Sequence, residues 1–281
     1  WHLMERAVLR GRAAKADHLP RLLGVDEKAY AKGHQYATIV YDHRSATVEY
    51  LAKGRDFTSL AAYFRAFEPD DLATIEGITL DMCKAYINAC SQCVPAGQQK
   101  IVFDRFHIMR QMLEAVDAVR KREHRELQRK GDNRLARSKY LWLYSQENIP
   151  AKAKDHFKQL KDGQLRTARA WAIKESLRDL WSYESPTWAR KFWLRWYFWA
   201  THSKLPEIVK VAKLIHSHLA NVLSYFTHRI TNAVAEGLNS KIATIQKRAY
   251  GFRNFEHFQI AVYFHCGGLG LWPSRFTHTK V

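Results

Sequence analysis

A layered α/β fold built on a mixed sheet, followed by a large all-helical segment, is the class this sequence predicts, and three observations carry it. Short apolar runs rich in β-branched and aromatic residues, separated by polar turns, are confined to the stretch before Phe106. Helical spacing enters between the later of these runs, the pattern of helices laid on a sheet. Beyond Phe106 the strand pattern stops, and helical spacing continues alone to about His228.

Element by element, Trp1 to Arg12 reads as the tail of a helix that begins upstream, so the chain is expected to be a segment of a longer protein. Leu22 to Glu27 is the first strand. Tyr36 to Tyr41 follows after Gly33, and Asp42–Ser45 turns the chain into Thr47 to Leu51, completing a three-strand meander. Asp56 is placed to cap a helix reaching Phe67, with Leu60, Phe64 and Phe67 at helical spacing. A strand then ends at Asp81, a helix covers about Lys84 to Val94 until Pro95–Gly97 breaks it, and Lys100 to Phe103 is a fifth strand ending at Asp104. The order β-β-β-α-β-α-β is that of the ribonuclease-H-like fold. In that order the first and fourth strands are neighbours, so Asp26 and Asp81 would meet.

The helical segment begins with a strong amphipathic stretch, Gln111 to Arg129, followed by Arg134–Ser145, about Asp162–Leu180, Pro186–Thr201 and Pro206–Tyr225. It reads as an insertion between the fifth strand and a later helix bearing Glu236. The predicted organisation is a helical tail at 1–20, a first core part at 21–110, the insertion at 111–228, closing core helices at 229–265 and a tail at 266–281.

Asp26, Asp81 and Glu236 are the candidate site. Asp26 follows the apolar run Leu22–Val25, Asp81 follows Ile75–Leu80, and Glu236 lies in a predicted helix. Hard cations take oxygen ligands, and two held about 4 Å apart can activate a nucleophile and stabilise a leaving oxygen in phosphoryl transfer. On the Glu236 helix, Val234, Leu238, Ile242, Ile245 and Ala249 share one face at about 100° per residue. Asn232, Glu236, Asn239, Ser240 and Lys247 are expected on the other, with Gly251 as the left-handed stop. Each acid also has an ordinary explanation, since strand-end aspartates cap turns and glutamates commonly occupy exposed helix faces. Glu27 adjoins Asp26, but strand alternation points the two to opposite faces. Asp104 meets the same description as Asp81, and spacing does not choose between them as second ligand.

The charge balance points to a polyanion. There are 45 basic against 27 acidic residues in 281, a net +18, and each phosphate neutralised by such a surface releases condensed counterions. No stretch approaches the roughly 20 apolar residues a membrane span needs. Four cysteines without a paired framework suggest a reducing compartment. Cys83, Cys90 and Cys93 fall on one helix face and read as small buried thiols rather than a zinc site, which needs four ligands. Tryptophans from Trp171 to Trp199 alternate with Arg169, Arg178, Arg190, Lys191 and Arg195. Most read as helical core, while the interleaving would also suit stacking on unpaired bases. Lys241, Lys247, Arg248 and Arg253, close to Glu236, are candidates for phosphate contacts.

From Arg21 to about His265 the sequence resembles the DDE transposases of the ISL-three family of bacterial insertion sequences. The resemblance is carried, in order, by Gly24–Glu27, Lys32–Thr38, Gly54–Arg55, Leu80–Met82 with Tyr86, Val102–His107, Ala115–Arg120, Thr231–Lys241 and Arg248–Asn254. It implies an acid triad of Asp26, Asp81 and Glu236 holding two Mg²⁺ ions, with Mn²⁺ as substitute, and cleavage and strand transfer at transposon ends. It also implies that Asp104, His107, Asn232 and Asn239 support the site or face DNA. Double-stranded DNA is the implied partner, a homodimer on DNA the implied assembly, and the bacterial cytoplasm and nucleoid the implied location. Family members carry an N-terminal zinc-binding and helix-turn-helix region, which is expected to lie outside this segment. A ribonuclease-H-fold nuclease without joining activity, or a non-catalytic DNA-binding derivative, are the rival readings.

Overall fold

The computed structural model describes residues 1–15, 19–230 and 233–272. Its strands are β1 (Leu22–Ala31), β2 (Gln35–Asp42), β3 (Thr47–Lys53), β4 (Gly77–Leu80) and β5 (Ile101–Phe103). The principal helices are α1 (His2–Ala14), α2 (Phe57–Phe64), α3 (Lys84–Cys93), α4 (Arg105–Gln128), α5 (Arg166–Leu177), α6 (Pro186–Thr201), α7 (Pro206–Ser217), α8 (Ala233–Arg248) and α9 (Phe255–Cys266). The chain divides into two compact units. One comprises Trp1–Asp104 with His228–Val281, and the other Arg105–Thr227.

In the first unit the strands form one sheet in the order β3-β2-β1-β4-β5. The meander β1-β2-β3 is antiparallel, while β4 joins β1 in parallel and β5 joins β4 in parallel. This is the predicted ribonuclease-H-like arrangement, with the first and fourth strands adjacent. One sheet face carries Ala37, Ile39 and Tyr41, which pack with Ala235, Leu238 and Ile242 of α8 and with Phe258 and Val262 of α9. Alternation sends Val25, Glu27 and Thr38 to the other face, where Tyr86 of α3 reaches the Thr38 hydroxyl at 2.9 Å. Asp56 caps α2 as its position predicted, accepting from Ser59 N–H at 2.8 Å. Val8 of α1 joins the core, against which Leu269 and Leu271 also pack, so residues at both ends of the described chain are part of this unit.

The second unit is all helix. Trp142, Trp171, Trp181, Trp193 and Trp196 are buried, as expected for aromatic core. Trp188 remains 58% exposed, and Trp199 and Arg195 are exposed too. Among the described residues no helix is long and apolar enough to cross a membrane.

Several boundaries differ from the sequence reading for physical reasons. β1 continues past Glu27 to Ala31, because β2 pairs with it over that length, so Asp26 lies within a strand rather than at its end. α4 starts at Arg105, directly after β5. The expected helix at 134–145 shrinks to Lys139–Leu143. Helix α7 stops at Ser217, where His218 leaves helical geometry (φ −120°, ψ 20°), and two short helices, Leu219–Leu223 and Tyr225–His228, follow. Short helices at Pro69–Ala73 and Lys154–Asp162 had no counterpart in the reading. Of the cysteines on α3 and at its start, only Cys90 is fully buried; Cys83 and Cys93 are half-buried, and all four cysteines in the chain are free.

Candidate metal centre

The sheet positions the acids through strand register. Parallel pairing aligns Leu22, Leu23 and Gly24 with Gly77, Ile78 and Thr79; carried two residues further, it sets Asp26 beside Asp81. Pairing of Ile78, Thr79 and Leu80 with Ile101, Val102 and Phe103 likewise sets Asp81 beside Asp104. The Asp104 N–H donates to the Leu80 carbonyl at 3.2 Å, extending that ladder by one bond. Spacing left Asp81 and Asp104 as alternatives. The sheet instead makes Asp81 the middle member of a row of three, with Asp104 buried.

Each aspartate is held by local donors. Asp26 Oδ1 accepts from the Glu27 N–H at 2.7 Å, and Oδ2 accepts from Asn239 Nδ2 at 2.5 Å. Asp81 Oδ1 accepts from the Cys83 N–H at 3.0 Å, an Asx turn that starts α3. Behind the row, Gly24 lies opposite Tyr41, whose ring occupies the space a Gly24 side chain would need; a Cβ there would come within 2.0 Å of the ring. Burial raises the Tyr41 hydroxyl far above its usual range, opposed by a hydrogen bond with Thr79 and reinforced by Asp26 and Asp104. One phenol thus senses two acids of the row. His43 meets the same Thr79 hydroxyl at 2.6 Å, and burial pushes its pKa down to about 4.

Glu27 was expected to be excluded by strand alternation, yet it is electrostatically part of the site. Its carboxyl is raised above the ordinary range: burial is the largest cause, Arg55 opposes it, and Asp81 and Asp26 both add to it. Arg55 reaches Glu27 at 3.4 Å while lying over the Tyr36 ring at 4.2 Å. Lys28 Nζ reaches the Asn239 carbonyl at 3.4 Å; burial lowers its pKa, with Asp26 opposing. Glu27, Lys28 and Arg55 were missed as site residues: alternation puts Lys28 on the Asp26 face, whereas Arg55 lies beyond β3 and meets Glu27 only in the folded chain. For Glu27 and Lys28, adjacency to Asp26 was the available signal.

Helix α8 crosses β1 differently from the expected amphipathic split. Ala235, Leu238 and Ile242 are its buried residues. Asn239, assigned to the outward face, borders this stripe and reaches Asp26, while Gln246 donates to the Ala29 carbonyl at 2.8 Å. A residue one turn from Ala235 stays beside it on a helix, which is why Asn239 faces the strand. Glu236 is exposed in the first turn of α8, three residues before Asn239. Among the described residues no three His, Cys, Asp or Glu side chains are grouped closely enough to hold a metal ion. Of the predicted site residues, the structure ties Asn239 to Asp26, sets Asp26, Asp81 and Asp104 side by side in strand register, and places Glu236 one turn before Asn239 on α8. Asn232 lies outside the described residues. His107 is half-buried on α4 in the helical unit.

The donor chemistry of the row fits a hard divalent cation. It offers carboxylate oxygens on three neighbouring strands, which is the ligand type Mg²⁺ and Mn²⁺ take. Each ionised oxygen has two acceptor sites, so the hydrogen bonds on Asp26 leave capacity on both of its oxygens. Lys241, Lys247, Arg248 and Arg253 are all exposed along α8 and the turn after it.

Comparison with known proteins covers this whole arrangement. The family profile described as a transposase of the ISL-three DDE group matches residues 23–262. The transposase for insertion sequence element IS1001 of Bordetella parapertussis is 28% identical over 269 residues, spanning 93% of this chain and 66% of its own length. The transposase for insertion sequence element IS1557 of Mycobacterium tuberculosis is 25% identical over 285 residues, spanning 93% of this chain and 64% of its own. The chain thus covers slightly less than two thirds of these relatives. Because the profile runs through the sheet, the helical unit and α8 alike, the chain belongs to the ISL-three family of DDE transposases.

Proposed function

We propose that this chain is the catalytic part of a DNA transposase, performing metal-dependent strand cleavage at transposon ends and strand transfer into target DNA. The observation that carries the reading is the row of Asp26, within β1, and Asp81 and Asp104, directly after β4 and β5, set by the register of these three neighbouring parallel strands. Asp26 and Asp81 would hold two Mg²⁺ or Mn²⁺ ions, with Glu236 as the third ligand implied by family membership. When bound, the cations supply charge neutralisation at the leaving 3′ oxygen and acidify the attacking water or 3′-hydroxyl.

The protein's own part is positioning. Asn239 and the Glu27 N–H fix the orientation of the Asp26 carboxylate from opposite sides, as outer hydrogen bonds commonly orient metal ligands. Asp104, buried beside Asp81, supports the row rather than serving as a principal ligand. Lys241, Lys247, Arg248 and Arg253 hold phosphates on the sheet unit, and Arg195 offers a separate cation on the helical unit. The net charge of +18 favours DNA as the partner. A homodimer follows from the reaction, since two ends must be joined in one complex.

The test is cleavage and joining of a labelled transposon-end duplex by the full-length protein with Mg²⁺ or Mn²⁺, set against Asp81→Asn. The expected outcome is metal-dependent strand transfer lost by at least roughly 10³-fold in the variant, with DNA affinity near normal. Retained cleavage in Asp81→Asn overturns the assignment. Cleavage without joined products would leave a nuclease.

A further inference from the structure

Helix α8 ends in a way that its own stability does not explain. The Gly251 N–H donates to the Gln246 carbonyl at 2.9 Å and the Tyr250 N–H to the Lys247 carbonyl at 3.1 Å. That pair of bonds is a Schellman motif. Gly251 has positive φ, at 92°, as the sequence suggested, but the residue before it, Tyr250, takes the left-handed position directly after the helix, at φ 52°. Glycine normally fills this position, because a Cβ there crowds the following carbonyl oxygen. Tyr250 recovers nothing by packing, since its side chain is 100% exposed. The fold therefore holds a bulky aromatic ring in a backbone conformation that disfavours it, aimed into solvent.

The surroundings are cationic. Lys247 and Arg248 precede Tyr250 and are exposed. Lys32, just past the end of β1, and Arg253 line the same groove as Tyr250, whose described lining includes no acid. A cationic groove with a projecting aromatic suits a strand that offers phosphates and flat bases together. A second copy of this chain suits it poorly, because it would bring like charge against like on a molecule already at +18.

We propose that Tyr250 is a base-stacking contact, holding an unpaired or unstacked base of a DNA strand whose phosphates are bound by Lys32, Lys247, Arg248 and Arg253. This rests on the DNA-processing reading above and adds the form in which the DNA is held, locally opened rather than as intact duplex. The side chain stacks and the flanking cations track the backbone, so affinity and selectivity for opened DNA separate at this residue.

The probe is a duplex with one unpaired 2-aminopurine, compared with the fully paired duplex, against the full chain and its Tyr250→Phe and Tyr250→Asn variants. Asparagine tolerates the left-handed backbone, so Tyr250→Asn keeps the helix end, which its melting temperature verifies. The expected result is quenching of the 2-aminopurine by the native chain and by Tyr250→Phe. In Tyr250→Asn the quenching is lost and affinity for the opened probe falls roughly tenfold, while affinity for paired DNA is unchanged. Equal quenching and affinity in Tyr250→Asn overturns the proposal and leaves the DNA reading intact, as does an equal loss on paired and opened DNA. Failure of the native chain to bind either probe removes the DNA reading itself and this proposal with it.

Discussion

Acids of the helical unit and acids of the row on β1, β4 and β5 are treated in opposite ways. In the helical unit, Glu123 of α4 accepts from the Arg166 N–H at 2.8 Å, the Thr167 N–H at 2.7 Å and the Thr167 hydroxyl at 2.6 Å, with the Arg166 side chain at 3.6 Å. Burial acts to raise the Asp117 carboxyl, but hydrogen bonds from Lys121 and Arg120 hold it below its usual range. Glu175 pairs with Lys174 and Arg178. In the sheet unit, Asp26 takes hydrogen bonds from an amide and a backbone N–H, and Glu27 is raised chiefly by burial and further by its acidic neighbours. Acids that are neutralised within the fold serve the fold. Acids aligned with one another oppose it, and such an arrangement marks a place where a ligand supplies the missing positive charge.

The largest effect that would sharpen this contrast is Glu123→Ala. Removing a buried acid that caps α5 and faces Arg166 is expected to lower the unfolding free energy by about 3 kcal/mol, read by urea denaturation. A shift below ~1 kcal/mol would break the contrast by showing that the helical unit does not depend on its internal ion pairs. Asn239→Ala is the counterpart in the sheet unit. It should leave the melting temperature nearly unchanged and reduce metal-dependent cleavage by roughly 10- to 100-fold, the usual cost of losing a hydrogen bond that orients a ligand. A wild-type cleavage rate in that variant would remove Asn239 from the site.

The smallest effect concerns pH. With a folded pKa of about 4 against an unfolded value near 6.5, His43 is neutral in the native state, and the unfolded chain binds the extra proton between these values. Its contribution to stability is flat above pH 6.5 and declines as pH falls towards 4. Between pH 7 and pH 5 native stability should fall by about 2 kcal/mol more in the wild type than in His43→Gln. Equal pH dependence in the two would show that the Thr79–His43 contact behind the acids is open to water.

Much of the fold was legible because it is written in local patterns. Short apolar runs between polar turns located the five strands of the sheet, Asp56 announced the cap of α2, and Pro186 to Thr201 marked α6 at both ends. Family motifs pointed to the acids before any geometry was available. What could not be read depended on partners distant in the chain. Helix α5 was expected from about Asp162, yet it begins at Arg166, with Leu165 making no side-chain cap. Its first N–H groups are satisfied by Glu123, 43 and 44 positions away in sequence.

Composition and periodicity by themselves therefore predicted the fold class and the succession of strands and helices, since these follow from the chemistry of neighbouring residues, while the choice among the acids came from the family resemblance. Only the tertiary structure decided that Asp26 lies inside a strand, that Asn239 turns towards it, that Glu27 shares its field and that Tyr250 takes the left-handed position. The reason is common to all four. Strand length, helix rotation and helix ending are set by the element that packs alongside, and that element is chosen by the folded chain rather than by the local sequence.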